Sequence, residues 1–124
     1  MQTSALPHEL AADVFKSVAE PTRVLILATI LRAGELCVCH VESALRVTQS
    51  RASRHLAALK RAGLVIARRE GAWTHYRAVK RPGAVERNVL KAVLEATRDD
   101  PRVRDAVARA GAIQWGSCGA EAAR

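Results

Sequence analysis

Over most of the chain, apolar residues recur at helical rather than strand spacing. Leu10, Val14, Phe15 and Val18 form one stripe across residues 8–19, the three-to-four-residue repeat of an amphipathic helix. Glu20-Pro21-Thr22 breaks the stripe, and Pro21 suits the first turn of a second helix over 21–33. Gly34 is placed to end that helix. A short helix is expected over 39–45, starting inside a cysteine motif, followed by a tight turn at Arg46-Val47. Thr48 then N-caps a helix over 49–62, closed by Gly63. The period shifts toward two, imperfectly, over 64–69 and 73–79, which flank Glu70-Gly71-Ala72 and predict a hairpin. Pro82-Gly83 ends the hairpin. Val85, Val89, Leu90, Val93 and Leu94 restore helical spacing over 84–97, and Asp99-Asp100-Pro101 opens a last helix to about Ala110.

Two short helices joined by a tight turn, the second one basic, form a helix-turn-helix. With the hairpin behind it, the order of elements predicts a mainly α winged helix-turn-helix with a small β-hairpin. The helices over 8–19 and 84–97 have apolar stripes suited either to packing within the chain or to a dimer interface. Dimerisation is the favoured expectation, because a domain this small reads little DNA alone. A length of 124 residues is enough for one modest core. Residues 1–110 are expected to form the DNA-binding and dimerisation domain, and 111–124 a loosely ordered tail carrying Cys118. Aromatic residues make up only 3% of the chain, so the core must be aliphatic.

Charge adds what periodicity cannot. The net charge is +8, but its distribution matters more than its total. Residues 46–81 hold 10 of the 20 Lys+Arg and a single acid, Glu70, whereas the flanking segments are nearly neutral. A solvated charged face would mix signs, so the middle segment points to a polyanion, double-stranded DNA. The longest apolar run, 24–31, is too short to span a bilayer, and no basic start followed by an apolar core marks a secretory signal. Three cysteines is an odd number, which argues against a disulfide framework and for a reducing cytoplasm.

On this fold the helix from Gln49 lies in the major groove with its N-terminal residues nearest the bases. Gln49 suits adenine, and Arg51 or Arg54 suits guanine. Ser50 and Ser53 are candidate phosphate or base-edge donors, and Lys60 joins the DNA-binding set. His55 is expected either at a phosphate or packed near the wing. Leu56 and Leu59 face inward. On the hairpin, Arg68, Arg69, Trp73, His75 and Arg77 would approach the flanking minor groove or phosphates, with packing preferred for Tyr76. Two protomers would read an inverted repeat.

Glu35-Leu36-Cys37-Val38-Cys39-His40 is the most specific feature, two thiols beside the DNA-reading segment. Thiolates are the soft ligands among side chains. In a regular helix, positions i and i+2 point about 200° apart, so Cys37 and Cys39 could not share one centre. In extended backbone they lie on one face. The motif must therefore be non-helical or distorted around Val38, and capture of a soft centre there could tilt or unwind the helix start. His40 is read as a polar residue on the helix surface, with a nitrogen-ligand role as the alternative.

The stretch 35–39, then Ser53-Arg54-His55-Leu56, then Gly71-Ala72-Trp73-Thr74-His75-Tyr76-Arg77, resembles the arsenic-sensing branch of the ArsR metalloregulator family over about residues 9–97. The resemblance implies a homodimeric repressor that leaves its operator when trivalent arsenic, or antimony, binds cysteine thiolates. Trivalent arsenic prefers a pyramid of three thiolates. Glu42 stands where sensors of the founding type carry a third cysteine, and His40 replaces their usual aspartate. Cys37, Cys39 and Cys118 are therefore the candidate ligands. A thiol redox or persulfide sensor and a cadmium or zinc sensor on the same scaffold are the alternatives. An enzyme such as an arsenate reductase is disfavoured, since no phosphate-cradling glycine loop lies beside a cysteine.

Overall fold

A computed structural model describes residues 6–112. The elements run α1 (Pro7–Ser17), α2 (Pro21–Ala33), β1 (Glu35–Cys37), α3 (Val38–Leu45), α4 (Gln49–Arg61), β2 (Val65–Glu70), β3 (Trp73–Ala78), α5 (Ala84–Ala96) and α6 (Pro101–Ala112). This is the winged helix-turn-helix expected from the sequence, with one strand that the sequence did not reveal.

α2 is the axle of the core. Ile26, Leu27, Ala28, Thr29 and Ile30 are all buried on consecutive positions, as in a helix enclosed on every side. Thr29 is tolerated there because its hydroxyl donates to the Leu25 carbonyl at 2.7 Å. At the start of α2 the Glu20 carboxylate accepts from the Arg23 N–H at 2.9 Å, satisfying a donor that the helix itself leaves open. Against this axle pack α4 through Ala52, Leu56 and Leu59, and α5 through Val89, Leu90 and Val93.

The helix-turn-helix joint is tight. α3 ends on Arg46, which adopts the left-handed conformation at φ 58°, ψ 47°, a cost usually borne by glycine or asparagine. Thr48 caps α4 as expected, its hydroxyl accepting from the Arg51 N–H at 3.2 Å. The wing is a three-stranded antiparallel sheet in the order β1-β3-β2. β2 and β3 meet around Gly71, whose positive φ of 64° suits the first central position of a two-residue hairpin turn. β1 joins the other side of β3, pairing Glu35 with Arg77, Leu36 with Tyr76 and Cys37 with His75.

α6 runs to Ala112, two residues beyond the expected end. Asp100 accepts from the Arg102 N–H at 2.8 Å, capping α6 as the sequence suggested. The helix buries Val103, Ala106 and Ala110 against α2 and α3. Arg109 Nε donates to the Ala44 carbonyl at 2.8 Å, a favourable cation at the C-terminal end of α3. Residues 113–124, with Cys118, lie outside the described residues. α1 packs on α5 within the chain, yet Leu6, Leu10, Phe15 and Leu94 stay exposed. Each helix thus packs within the chain and also keeps apolar side chains exposed.

Candidate sulfur site and nucleic-acid interface

The cysteine motif straddles a strand-to-helix junction. Cys37 closes β1 and is the N-cap of α3, with extended backbone at φ −89°, ψ 169°. Cys39 lies in the first turn of α3. The change of backbone between them brings Cys37 Sγ to 3.1 Å from Cys39 Sγ, which a continuous helix would forbid. The inference that the motif departs from a regular helix around Val38 is borne out.

A soft centre bonded to two thiolates at about 2.3 Å, with a right angle between them, needs the sulfurs about 3.3 Å apart. The 3.1 Å spacing fits that demand. Cys37 is buried and a free thiol, and sulfur capture by the pair requires the reduced protein. Among the described residues no group of three or more His, Cys, Asp or Glu side chains is arranged to hold a metal ion. Cys118, the third candidate, falls outside them.

His40 is not the surface residue that the sequence suggested. It is 3% exposed. Because α3 starts at Val38, His40 is its third residue, and its Nδ1 reaches back to accept from the Cys37 N–H at 3.1 Å. Half of a capping box is built this way, with an imidazole where Glu or Gln is usual. The same Nδ1 lies 3.1 Å from Cys37 Sγ. Burial, and then the neighbouring His75, hold the His40 imidazole below its ordinary pKa.

On α4, Gln49, Ser50, Arg51, Ser53, Arg54 and Lys60 are all exposed, while Leu56 and Leu59 are fully buried. One helix face is thus polar and basic and the other aliphatic, as a groove-reading helix requires. His55 belongs to the inner side. It is buried, and its Nδ1 accepts from Arg23 Nε at 3.1 Å. Its Nε2 is buried with no hydrogen-bond partner among the described residues. Burial is the main cause that lowers its pKa, opposed by Glu20 and reinforced by Arg23, Arg51 and Arg54.

The wing residues separate in the same way. Arg69 is exposed, and Trp73 and Arg77 are half-buried. Tyr76 packs against the core, as preferred from the sequence. His75 is buried, with Nε2 at 3.6 Å from Glu70. Arg68 is exposed but occupied by two carboxylates. Its Nη2 and Nε donate to Glu35 at 2.8 and 3.3 Å, and its Nη1 donates to Glu70 at 3.0 Å. The bond from Arg68, first among several causes, holds the Glu35 carboxyl below the usual carboxylate range. The sequence singled out neither Glu35 nor Arg23, because their roles depend on partners 33 and 32 residues away.

A tight helix-turn-helix backed by a three-stranded wing defines the molecule as a winged helix-turn-helix regulator. The profile of the family described as "Bacterial regulatory protein, arsR family" matches residues 20–67. The chain is 41% identical over 86 residues to the arsenic resistance transcriptional regulator ArsR1 of Pseudomonas putida, a match covering 69% of this chain and 67% of that one. It is 44% identical over 68 residues to the arsenical resistance operon repressor of Escherichia coli, covering 55% and 58%. Among solved structures, reduced HlyU from Vibrio cholerae aligns with a TM-score of 0.60 at 30% identity, over 70% of this chain and 87% of that one. A homodimeric winged helix-turn-helix domain, Mb0332 from Mycobacterium bovis, aligns with a TM-score of 0.62 at 28% identity, over 82% and 94%. The chain belongs to the ArsR family of transcriptional regulators. No helix among the described residues is long and apolar enough to cross a membrane.

Proposed function

We propose that this regulator is a homodimeric cytoplasmic repressor that holds an inverted-repeat operator and releases it when trivalent arsenic, or antimony, binds Cys37 and Cys39. The observation that carries this reading is the 3.1 Å sulfur–sulfur spacing at the N-terminus of α3, directly ahead of the reading helix. Relatives named for arsenic resistance support it. The two sulfurs sit where strand becomes helix, so a centre bonded to both ties the end of β1 to the first turn of α3 and acts on the angle between them. α3 in turn sets α4 through the strained turn at Arg46.

The third thiolate is assigned to Cys118, from the same protomer or its partner. In the dimer, Leu6, Leu10, Phe15 and Leu94 on α1 and α5 would be covered. DNA would be held by Gln49, Ser50, Arg51, Ser53, Arg54 and Lys60 in the major groove, with Arg69 and Arg77 at the flanking backbone. His55 and His75 would act from beneath, holding the surfaces that carry those contacts.

The alternative reading is release by oxidation or persulfide formation at the same thiols. One titration separates the two. Reduced protein on labelled operator is challenged with arsenite, antimonite, cadmium, zinc and a polysulfide, and repeated with Cys37→Ser, Cys39→Ser and Cys118→Ser. Arsenite release lost in the first two variants supports the proposal. Release by polysulfide alone, with a matching mass increase, would replace it with the redox reading. A normal arsenite response of Cys118→Ser would leave a two-thiol site.

A further inference from the structure

Cross-strand pairing places three rows of side chains on one face of the wing. Residues directly opposite in antiparallel strands share a face, so the registers define the rows. Cys37 pairs with His75, which pairs with Arg68, and Glu35 pairs with Arg77, which pairs with Ile66. Glu70 and Trp73 make the next row outward. The candidate sulfur ligand and the wing arginine therefore sit two strands apart in one row.

Charged contacts run along that face. Glu35, two residues before Cys37 on the same strand, grips Arg68 with two roughly parallel bonds of 2.8 and 3.3 Å across β3. Arg68 continues to Glu70 at 3.0 Å, and Glu70 lies 3.6 Å from His75, the strand partner of Cys37. A guanidinium fork fixes the direction as well as the distance of its partner. β1 is only three residues long and ends at the sulfur. A displacement at Cys37 therefore arises within two residues of Glu35 on the same strand.

We propose that the sulfur site reaches DNA through the wing as well as through α3, with Glu35 as the positioning residue that transmits displacement of β1 to Arg68. The inference rests on arsenite-triggered release as the function. In the sulfur-free state Glu35 holds Arg68 across the face of the wing. Capture at Cys37 moves β1 against β3, and the fork carries that movement to β2, changing how the wing meets the flanking DNA. Because the pair is solvent-exposed, its share of the whole response is a modest one.

The test reads release and arsenite binding separately. Operator dissociation constants with and without saturating sodium arsenite give a release ratio for the reduced wild-type chain, Glu35→Gln and Arg68→Lys. Direct arsenite titration without DNA measures the sulfur site itself, and thermal melting shows that each variant is folded. Arg68→Lys keeps the charge but loses the fork. Both variants are expected to bind arsenite as the wild type does, yet to show a release ratio lowered by about threefold, the scale of an exposed ion pair. The double variant Glu35→Arg with Arg68→Glu restores the pair and should recover much of the ratio, whatever its basal operator affinity. Wild-type ratios in both Glu35→Gln and Arg68→Lys would overturn the wing route and leave arsenite release standing. A wild-type chain that binds arsenite without losing operator would remove the function, and this route with it.

Discussion

The reading helix and the wing are both rich in arginine, but they hold their charge differently. On α4 the inner face is locked by Leu56 and Leu59, both fully buried, and the outer basic side chains project into solvent. On the wing, Arg68 is engaged by two carboxylates, Arg77 is half-buried, and His75 is buried. A count of basic residues treats the two regions alike. The structure gives the helix solvent-facing basic side chains on a rigid support, and on the wing it ties Arg68 to Glu35 and Glu70 beside the sulfur site while Arg69 stays exposed. The helix is therefore the better candidate for reading DNA and the wing for responding to a signal.

The sharpest way to break that contrast is to unseat the helix. Leu56→Ala is expected to cost about 2–5 kcal/mol of folding stability, read from urea unfolding, whereas Trp73→Ala on the half-buried wing should cost clearly less. Equal losses would mean that the wing is as integral to the core as α4. Next in size, Arg51→Ala or Arg54→Ala should weaken operator binding roughly tenfold or more if either reads a base. Arg68→Ala, starting from a side chain already paired, should change it only about threefold or less. The slope of log affinity against log salt should fall by about 0.9 for each phosphate contact removed, so Arg69→Ala should flatten it more than Arg68→Ala.

The smallest expected effect concerns pH. Burial holds the His55 imidazole below its ordinary range, so it is neutral in the folded chain. Unfolded chains take up that proton as pH falls through about 6.5. The contribution of His55 is thus fully present above pH 6.5 and is lost as pH falls further, toward the pH at which folded His55 itself protonates. Protonation also removes the lone pair that accepts from Arg23. Melting temperature should decline as pH falls below about 6.5, and the decline should be shallower in His55→Gln. An unchanged profile in that variant would shift the cause to other groups.

Most of the fold was legible in the sequence because its signals are local. Proline at the start of α2, Thr48 ahead of α4, Asp100 before α6 and Gly71 between the strands act within a turn or two of themselves. β1 was not legible. Three residues carry too little alternation to mark a strand, and this one exists only because β3 offers an edge. The cysteine geometry was inferred correctly from the i, i+2 argument. The roles of His40, His55, Glu35 and Arg23 were missed or left open, since each is set by burial or by a partner from another element. His40 shows the reason plainly. Moving the helix start one residue earlier, to Val38, turns a surface histidine into a cap buried against Cys37.

The central claim is that sulfur capture at Cys37 and Cys39 is incompatible with the operator-bound shape. Operator affinity of the reduced protein, measured by fluorescence anisotropy at one fixed salt concentration with the protein either empty or saturated with arsenite, tests it most directly. The account predicts at least a tenfold loss on saturation, within the usual range of allosteric coupling, that disappears in Cys37→Ser. Equal affinity in the two states, with arsenite demonstrably bound, would contradict it.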